Sequence, residues 1–447
     1  METATDLPLI RDFGAHSVFA YRRGAAIGPT HFLNDVSQVA AQLPNAGYVV
    51  NLCSDRYRFT VGFAAALLRR QVNLLPPNQT PALLEQLLRT YPDAYFLTDA
   101  GDHAAPKTVL FPELVSMPSG DLSVPSVPAH QVAAILLTSG STGEPVPHAK
   151  SWGGLVRSVR AELGQLGFNG NSNTAIVGTV PPQHMYGLES TVLMAMQGGL
   201  ALHAARPFYP ADVCAELEAI PRPRVLVTTP VHLRALVAES IALPRVDVIV
   251  CATAPLSPQL AAEAQARFGA SLYEIYGCTE AGELATRRTV ETAEWQTLPG
   301  ITLRQDEKGT WAQGGNVDVE ILLNDVIELR GPERFLFHGR NADLVNIAGK
   351  RTSLANLNYH LNSIEGVLDG VFVMPEERAD IVTRLAAFVV APGVSRETLM
   401  HALRSRIDAA FLPRPLHLVT SLPRNSTGKL PREALDLLLA QLPAEET

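Results

Sequence analysis

A run of small hydroxylated residues and glycines, Thr138-Ser139-Gly140-Ser141-Thr142-Gly143, follows directly on the apolar stretch Val132 to Leu136. Glycines let a backbone fold tightly enough for successive N–H groups to converge on anionic oxygens, and the hydroxyls of Thr138, Ser139, Ser141 and Thr142 add donors. That is chemistry for holding phosphate. A flexible polar turn has the same composition, and no Gly-Lys-Ser/Thr follows, so the loop is not a Walker site. Four more residues could do chemistry: His184 in the loop Pro181 to Leu188, Glu280 closing Tyr276-Gly277-Cys278-Thr279-Glu280, Asp325 after Leu323-Asn324, and Lys429 ending Leu422 to Lys429. Taken singly, each has a plain structural reading as a satisfied histidine, a carboxylate at a helix N-terminus, a turn cap or a solvated surface charge. The other histidines are scattered without metal-ligand spacing, so no zinc is expected.

The elements that must position these residues alternate. Apolar runs at Tyr48 to Leu52, Val132 to Leu137, Ala175 to Val180, Val225 to Thr229, Val246 to Cys251 and Ser271 to Ile275 read as strands; Phe63 to Arg70, Leu155 to Leu163, Val231 to Glu239 and Pro258 to Phe268 have helical periodicity. Strand and helix in alternation predict an α/β fold with a largely parallel sheet. From Trp295 to Gly315 short apolar pieces broken by Pro299-Gly300 and Gly314-Gly315 predict β structure near the end of a large domain. After Gly339-Arg340 the pattern restarts as a small α/β unit, with helices at Leu354 to Leu361 and Ser395 to Phe411 and strands at Val371 to Met374 and Ala386 to Val390. The predicted division is 1–340 and 341–447.

At 447 residues the chain has room for two to four domains of roughly 100–200 residues each. With 47% hydrophobic and 18% charged residues it is neither disordered nor fibrous. Its 36 Lys and Arg against 44 Asp and Glu leave a net charge of −8, which speaks against a broad nucleic-acid face and requires any phosphate site to be local. The four cysteines, Cys53, Cys214, Cys251 and Cys278, form no Cys-x-x-Cys pair and read as reduced thiols. Met1 to Asp12 is acidic and lacks an export pattern, and no stretch is long and apolar enough to span a membrane, so a cytoplasmic protein is expected.

Thr138 to Pro145 resembles the phosphate loop of the acyl-adenylate-forming superfamily. Ala254 to Pro258, the helix to Phe268-Gly269, Tyr276 to Glu280, the joint-like Phe337-His-Gly-Arg340 with Gly349-Lys-Arg351, and Leu422 to Lys429 follow in the family's order. The resemblance implies a large ATP- and acid-binding domain and a small mobile lid, and a reaction in which a carboxylate attacks the α-phosphorus of ATP before the acyl group passes to a pantetheine thiol. It assigns Thr138, Ser139, Gly140, Ser141, Thr142 and Gly143 to the β- and γ-phosphates, Thr279 to the α-phosphate, Glu280 to Mg2+, and Asp325, with Arg340 nearby, to the ribose. Tyr276 and Gly277 belong to the same nucleotide-binding turn, Lys429 lies between carboxylate and α-phosphate, and His184 sits beside the substrate carboxylate.

The chain departs from the family in three places. Pro145-Val-Pro-His-Ala-Lys150 stands where the family has Pro-Lys-Gly, Ala342 replaces the usual hinge acid, and the segment before Asp325 is shortened. The compact length and the Pro181 to Leu188 loop resemble ligases of aryl-polyene or xanthomonadin-type pigment clusters. This implies a hydroxybenzoate-like acid, with an acyl carrier protein or CoA as acceptor; the charge balance makes nucleic acid no expected partner, and no membrane span is expected. A CoA ligase for an aliphatic acid and a non-catalytic nucleotide-binding regulator of the same fold are the alternatives.

Overall fold

The computed structural model describes residues 6–11, 17–101, 106–115, 123–139, 145–168, 174–340, 344–347, 350–374, 385–424, 430, 434–435 and 437–438, with main chain only at 139, 340, 344, 346 and 351. Two large sheets dominate. A six-stranded sheet runs in the order Pro145–Ser151, Val132–Ser139, Val72–Leu75, Tyr48–Asn51, Tyr95–Thr98, Thr108–Leu110, parallel throughout except for the hairpin at its first edge. The eleven-stranded sheet has a parallel centre: Ser271–Cys278, Val248–Cys251, Arg224–Thr228, Ala175–Gly178, Ala201–His203 and Ala20–Arg22. Antiparallel strands extend it on the Ser271–Cys278 side, namely Gly282–Arg287, Trp295–Thr297, Arg334–Arg340 and Asp325–Leu329. The fold is mixed α/β, as the alternation predicts.

The central strands are buried on both faces, which is why they read as unbroken apolar runs rather than alternating ones. Val225 to Val227 and Ile249 to Cys251 are all fully buried, and separate apolar clusters cover the two faces of the sheet. Side-chain caps set where helices begin at the strand ends. Asp55 accepts from the Arg58 N–H at 3.0 Å, Ser151 from Gly154 at 3.0 Å, and Ser257 from Leu260 at 3.3 Å. Pro230 and Pro258 take the first helical positions, where a missing N–H costs nothing. Asp55 also accounts for one difference from the sequence reading: the helix expected at Phe63 to Arg70 spans Arg56–Leu68, because the cap opens it at Arg56.

Residues 345–416 build a further core around Leu357, Leu361, Phe372, Ala387, Leu399 and Leu416. The helix expected from Ser395 to Phe411 spans only Arg396–Arg404. Asp408 opens a separate turn, Ala409–Phe411, by accepting from the Ala410 N–H at 3.0 Å, and a new cap ends the old helix. The Asp369 carboxylate receives Arg424 at 2.7 Å and Arg234 at 3.3 Å, tying this part to the helix Pro230–Ala238. No helix among the described residues is long and apolar enough to cross a membrane.

One buried cation staples the sheet edge that carries the site loops. Arg56 is fully buried, and burial pulls its guanidinium down to about 9. It donates to the carbonyls of Gly178 at 2.7 Å and Val180 at 3.0 Å and to the Thr191 hydroxyl at 2.9 Å. These groups lie at either end of the loop that holds His184. Arg56→Ala is expected to lower the unfolding free energy by about 3 kcal/mol or more, since each buried group left unpaired costs roughly 1–3 kcal/mol. Urea denaturation checks this; an unchanged midpoint would show that the staple is not needed.

Candidate active site

The candidate residues come from the C-terminal ends of parallel strands, where ligands of open α/β sheets collect. Tyr276, near the end of Ser271–Cys278, sits in a box of Trp295, Phe335 and Phe337, with ring centroids 5.3–5.7 Å away. Its hydroxyl donates to Asp325 Oδ2 at 2.5 Å. Asp325 opens its strand opposite Arg340, so Tyr276, Asp325 and the Arg340 main chain are brought together.

The turn after Tyr276 closes tightly. A Cβ on Gly277 would lie 2.3 Å from the Gly282 carbonyl, and Gly282 has φ +82°, a conformation that favours glycine. Thr279 and Glu280 are half-exposed on the outside of this turn. Asn316 Nδ2 donates to the carbonyls of Ala281 and Glu283, 3.1 Å each, and Lys150 Nζ donates to the Glu280 carbonyl. Lys150 belongs to Pro145–Ser151, whose partner strand carries Thr138; Thr138 Oγ1 lies 3.0 Å from His148 Nε2. The end of the strand Val132–Ser139 and the Tyr276–Glu280 turn are therefore linked through one hairpin.

The His184 loop packs on the same turn, with Met185 Cε 3.2 Å from where a Cβ on Gly282 would lie. A Cβ on Gly187 would meet the Pro181 carbonyl at 2.0 Å, which fixes the loop as a tight bend. His184 ends up half-buried at the N-terminus of a short helical segment. The hydroxyl of Tyr186 lies between the carbonyls of Thr228 and Val250, 3.0 and 2.9 Å away, and shares its one hydrogen between them, and the Tyr273 ring faces Arg288. Tyr186 thereby braces the ends of two neighbouring strands. Gly140, Ser141, Thr142, Gly143, Lys429 and Ala342, at the expected hinge, lie outside the described residues, as do the side chains of Ser139 and Arg340.

Behind the turn lies a feature that motif reading misses. Glu162, Glu189 and Glu283, from three different elements, are fully buried together. Ser190 Oγ lies 2.9 Å from Oε1 of both Glu162 and Glu283. One hydrogen cannot serve two carboxylates, so the pair holds a proton of its own. Burial, the largest cause, raises all three acids: Glu162 to about 8, Glu189 to about 7, and Glu283 well above the carboxylate range. The signal available in the sequence was an acid set inside apolar runs, as in Leu188-Glu189-Ser190-Thr191-Val192-Leu193. Sequence reading also passed over His232, which sits 2.9 Å from Thr229 Oγ1 with the Phe208 ring edge-on at 5.1 Å; burial pulls it down to about 4.

The four cysteines are free. Burial first and Glu280 second push Cys278 up to about 12, which makes it a poor nucleophile. No group of three or more His, Cys, Asp or Glu among the described residues could hold a metal ion by itself. A single half-exposed carboxylate such as Glu280 fits Mg2+ instead, which takes one or two carboxylates and completes its shell with phosphate oxygens and water.

With its family match and its CoA-ligase relatives, this doubly sheeted α/β chain is an AMP-forming acid–thiol ligase. Residues 22–308 match the AMP-binding enzyme family, and the chain belongs to it. The 4-coumarate–CoA ligase of Rhodobacter capsulatus is 28% identical over 302 residues, 66% of this chain and 74% of that protein. The 4-hydroxybenzoate–CoA/benzoate–CoA ligase of Rhodopseudomonas palustris is 24% identical over 444 residues, covering 89% and 80%. Among solved structures, ATP-bound MatB from Rhodopseudomonas palustris superposes with a TM-score of 0.78 at 18% identity over 93% of this chain and 94% of that one.

The acid cluster makes stability depend on pH in a definite direction. A carboxyl whose folded pKa is raised contributes stability that is complete below its unfolded value of about 4.3 and is lost as pH rises through the folded value. Between about pH 5 and 8 the melting temperature should therefore fall, and Glu162→Gln, which cannot ionise, should fall less steeply. Thermal melts of both proteins across that range check this; parallel slopes would show that Glu162 holds no extra proton.

Proposed function

We propose that this ligase activates a small aromatic acid of the hydroxybenzoate type as its acyl-adenylate and passes the acyl group to a pantetheine thiol, on an acyl carrier protein or CoA, as in aryl-polyene-type pigment biosynthesis. The observation that carries the adenylation half is the Tyr276 to Asp325 bond at 2.5 Å beside the Glu280 turn. It holds Asp325, an anionic acceptor suited to two ribose hydroxyls, against Tyr276, the residue that leads into the turn carrying Glu280, a half-exposed carboxylate suited to Mg2+. Family membership and the 4-coumarate and 4-hydroxybenzoate ligases among its relatives support the aromatic class.

In this reading the loop Thr138 to Gly143 holds the β- and γ-phosphates, Thr279 contacts the α-phosphate, and Asp325 with Arg340 holds the ribose. Glu280 ligates Mg2+, which offsets the charge on the transferring and departing phosphates. His184 positions the substrate carboxylate, whose oxygen attacks the α-phosphorus as pyrophosphate leaves. Lys429 brings a compact positive charge to that step from residues 341–447, which act as a mobile lid on residues 1–340. A ring hydroxyl buried without a partner costs roughly 1–3 kcal/mol, so a site built for a hydroxylated acid should discriminate against the unsubstituted analogue.

Pyrophosphate release should be highest with hydroxybenzoates when benzoate, hydroxybenzoates, cinnamates and medium- to long-chain fatty acids are compared, and Lys429→Ala should abolish it while still forming thioester from supplied acyl-adenylate. Fatty acids at the head of the ranking would refute the aromatic assignment, and normal release by the variant would remove Lys429 from the adenylation step.

A further inference from the structure

Lys150 is a cation with an unusual setting. It lies on the hairpin that follows the phosphate loop, and alternation along Pro145–Ser151 puts positions 146, 148 and 150 on one face. The family's lysine falls at 146, which here is the exposed Val146. Four residues of strand separate the two positions by about 13 Å, so Lys150 does not serve the phosphates that a lysine at 146 would reach. Its ammonium instead turns toward the Tyr276–Glu283 segment and donates to the main-chain carbonyl of Glu280.

That segment is held from three sides. Lys150 grips Glu280, Asn316 grips Ala281 and Glu283, and Ser190 grips the Glu283 side chain. Lys150 is the charged donor among them. Glu189 lies close to the same turn: its Oε1 is 3.1 Å from where a Cβ on Gly282 would sit, and although burial lowers the Lys150 pKa overall, the nearby Glu189, Glu280 and Asp318 oppose that shift. The half-buried lysine is thus held against the turn by its bond to the Glu280 carbonyl, with a fully buried acid close to the same turn.

We propose that Lys150, backed by the buried carboxyl of Glu189, is the positioning residue that sets the direction of the Glu280 side chain by holding that residue's own carbonyl. The inference rests on the adenylation reading, in which Glu280 ligates Mg2+. Lys150 itself touches neither metal nor phosphate. Its loss leaves the nucleotide contacts in place but lets the metal-ligating carboxylate swing.

The experiment compares the native chain with Lys150→Met, Lys150→Arg and Glu189→Gln. ATP binding is measured by calorimetry with and without Mg2+, and pyrophosphate release is titrated with Mg2+; thermal melts confirm that each variant is folded. For Lys150→Met the Mg2+ concentration at half-maximal rate should rise about tenfold, the size of one charge-assisted hydrogen bond, while metal-free ATP affinity stays within about twofold. Lys150→Arg should recover most of the shift, and Glu189→Gln should move the Mg2+ requirement the same way. A tenfold loss of metal-free ATP affinity in Lys150→Met would show direct phosphate contact and overturn the proposal. So would an unchanged Mg2+ requirement in a variant that binds nucleotide normally. If the native chain itself binds no ATP, the adenylation reading falls along with this one.

Discussion

The bond between the Tyr276 hydroxyl and the Asp325 carboxylate joins two parts of the sheet that are distant in sequence. Tyr276 ends a parallel strand of the central sheet, and Asp325 begins an antiparallel strand at its far edge. The aromatic box of Trp295, Phe335 and Phe337 leaves the Tyr276 ring few orientations, so the hydroxyl arrives at a defined point. Everything after Tyr276 inherits that precision. Gly277 lets the chain turn back on itself, Gly282 takes the left-handed conformation the return needs, and Glu280 is carried outward between them.

Behind the turn the interior is polar to a degree that a hydrophobic core does not require. Three carboxyls and the Ser190 hydroxyl are packed where water is excluded, and proton sharing, not salt-bridge pairing alone, makes the burial tolerable. Such networks specify geometry at a cost in stability. Here the geometry specified is that of residues 280–283, the turn that carries Glu280. Lys150 brings the hairpin of Val132–Ser139 and Pro145–Ser151 into the same arrangement, so that hairpin and the Tyr276–Glu280 turn are not independent.

Much of this was legible in the sequence because local chemistry forced it. Pro258 to Phe268 could be read to its ends from a proline at the first helical position and a glycine after the last. The central strands announced themselves as unbroken apolar runs. The helix ending at Leu68 was read short because Asp55, its cap, sits among polar residues that also suit a loop. The Ser395 helix was read long because Asp408 looks like any polar residue until its side chain is seen turning back on Ala410. In the site, residues that belong to one contiguous turn, Tyr276 to Glu280, were readable as a unit. Glu162, Glu189 and Glu283 were not, since three acids far apart in the chain share no spacing; only the fold brings them together. Tyr186 was readable as an aromatic residue but not as a brace across two strand ends.

The central claim is that an oxygen of the acid becomes an oxygen of AMP. Incubating the native chain with ATP, Mg2+, a pantetheine thiol and an acid labelled with 18O in both carboxylate oxygens, followed by mass analysis of the phosphate products, reads this directly. Attack at the α-phosphorus leaves one labelled oxygen in AMP and none in pyrophosphate once the thiol has taken the acyl group. Label in inorganic phosphate, with ADP as the nucleotide product, would mean attack at the γ-phosphorus and would contradict the account.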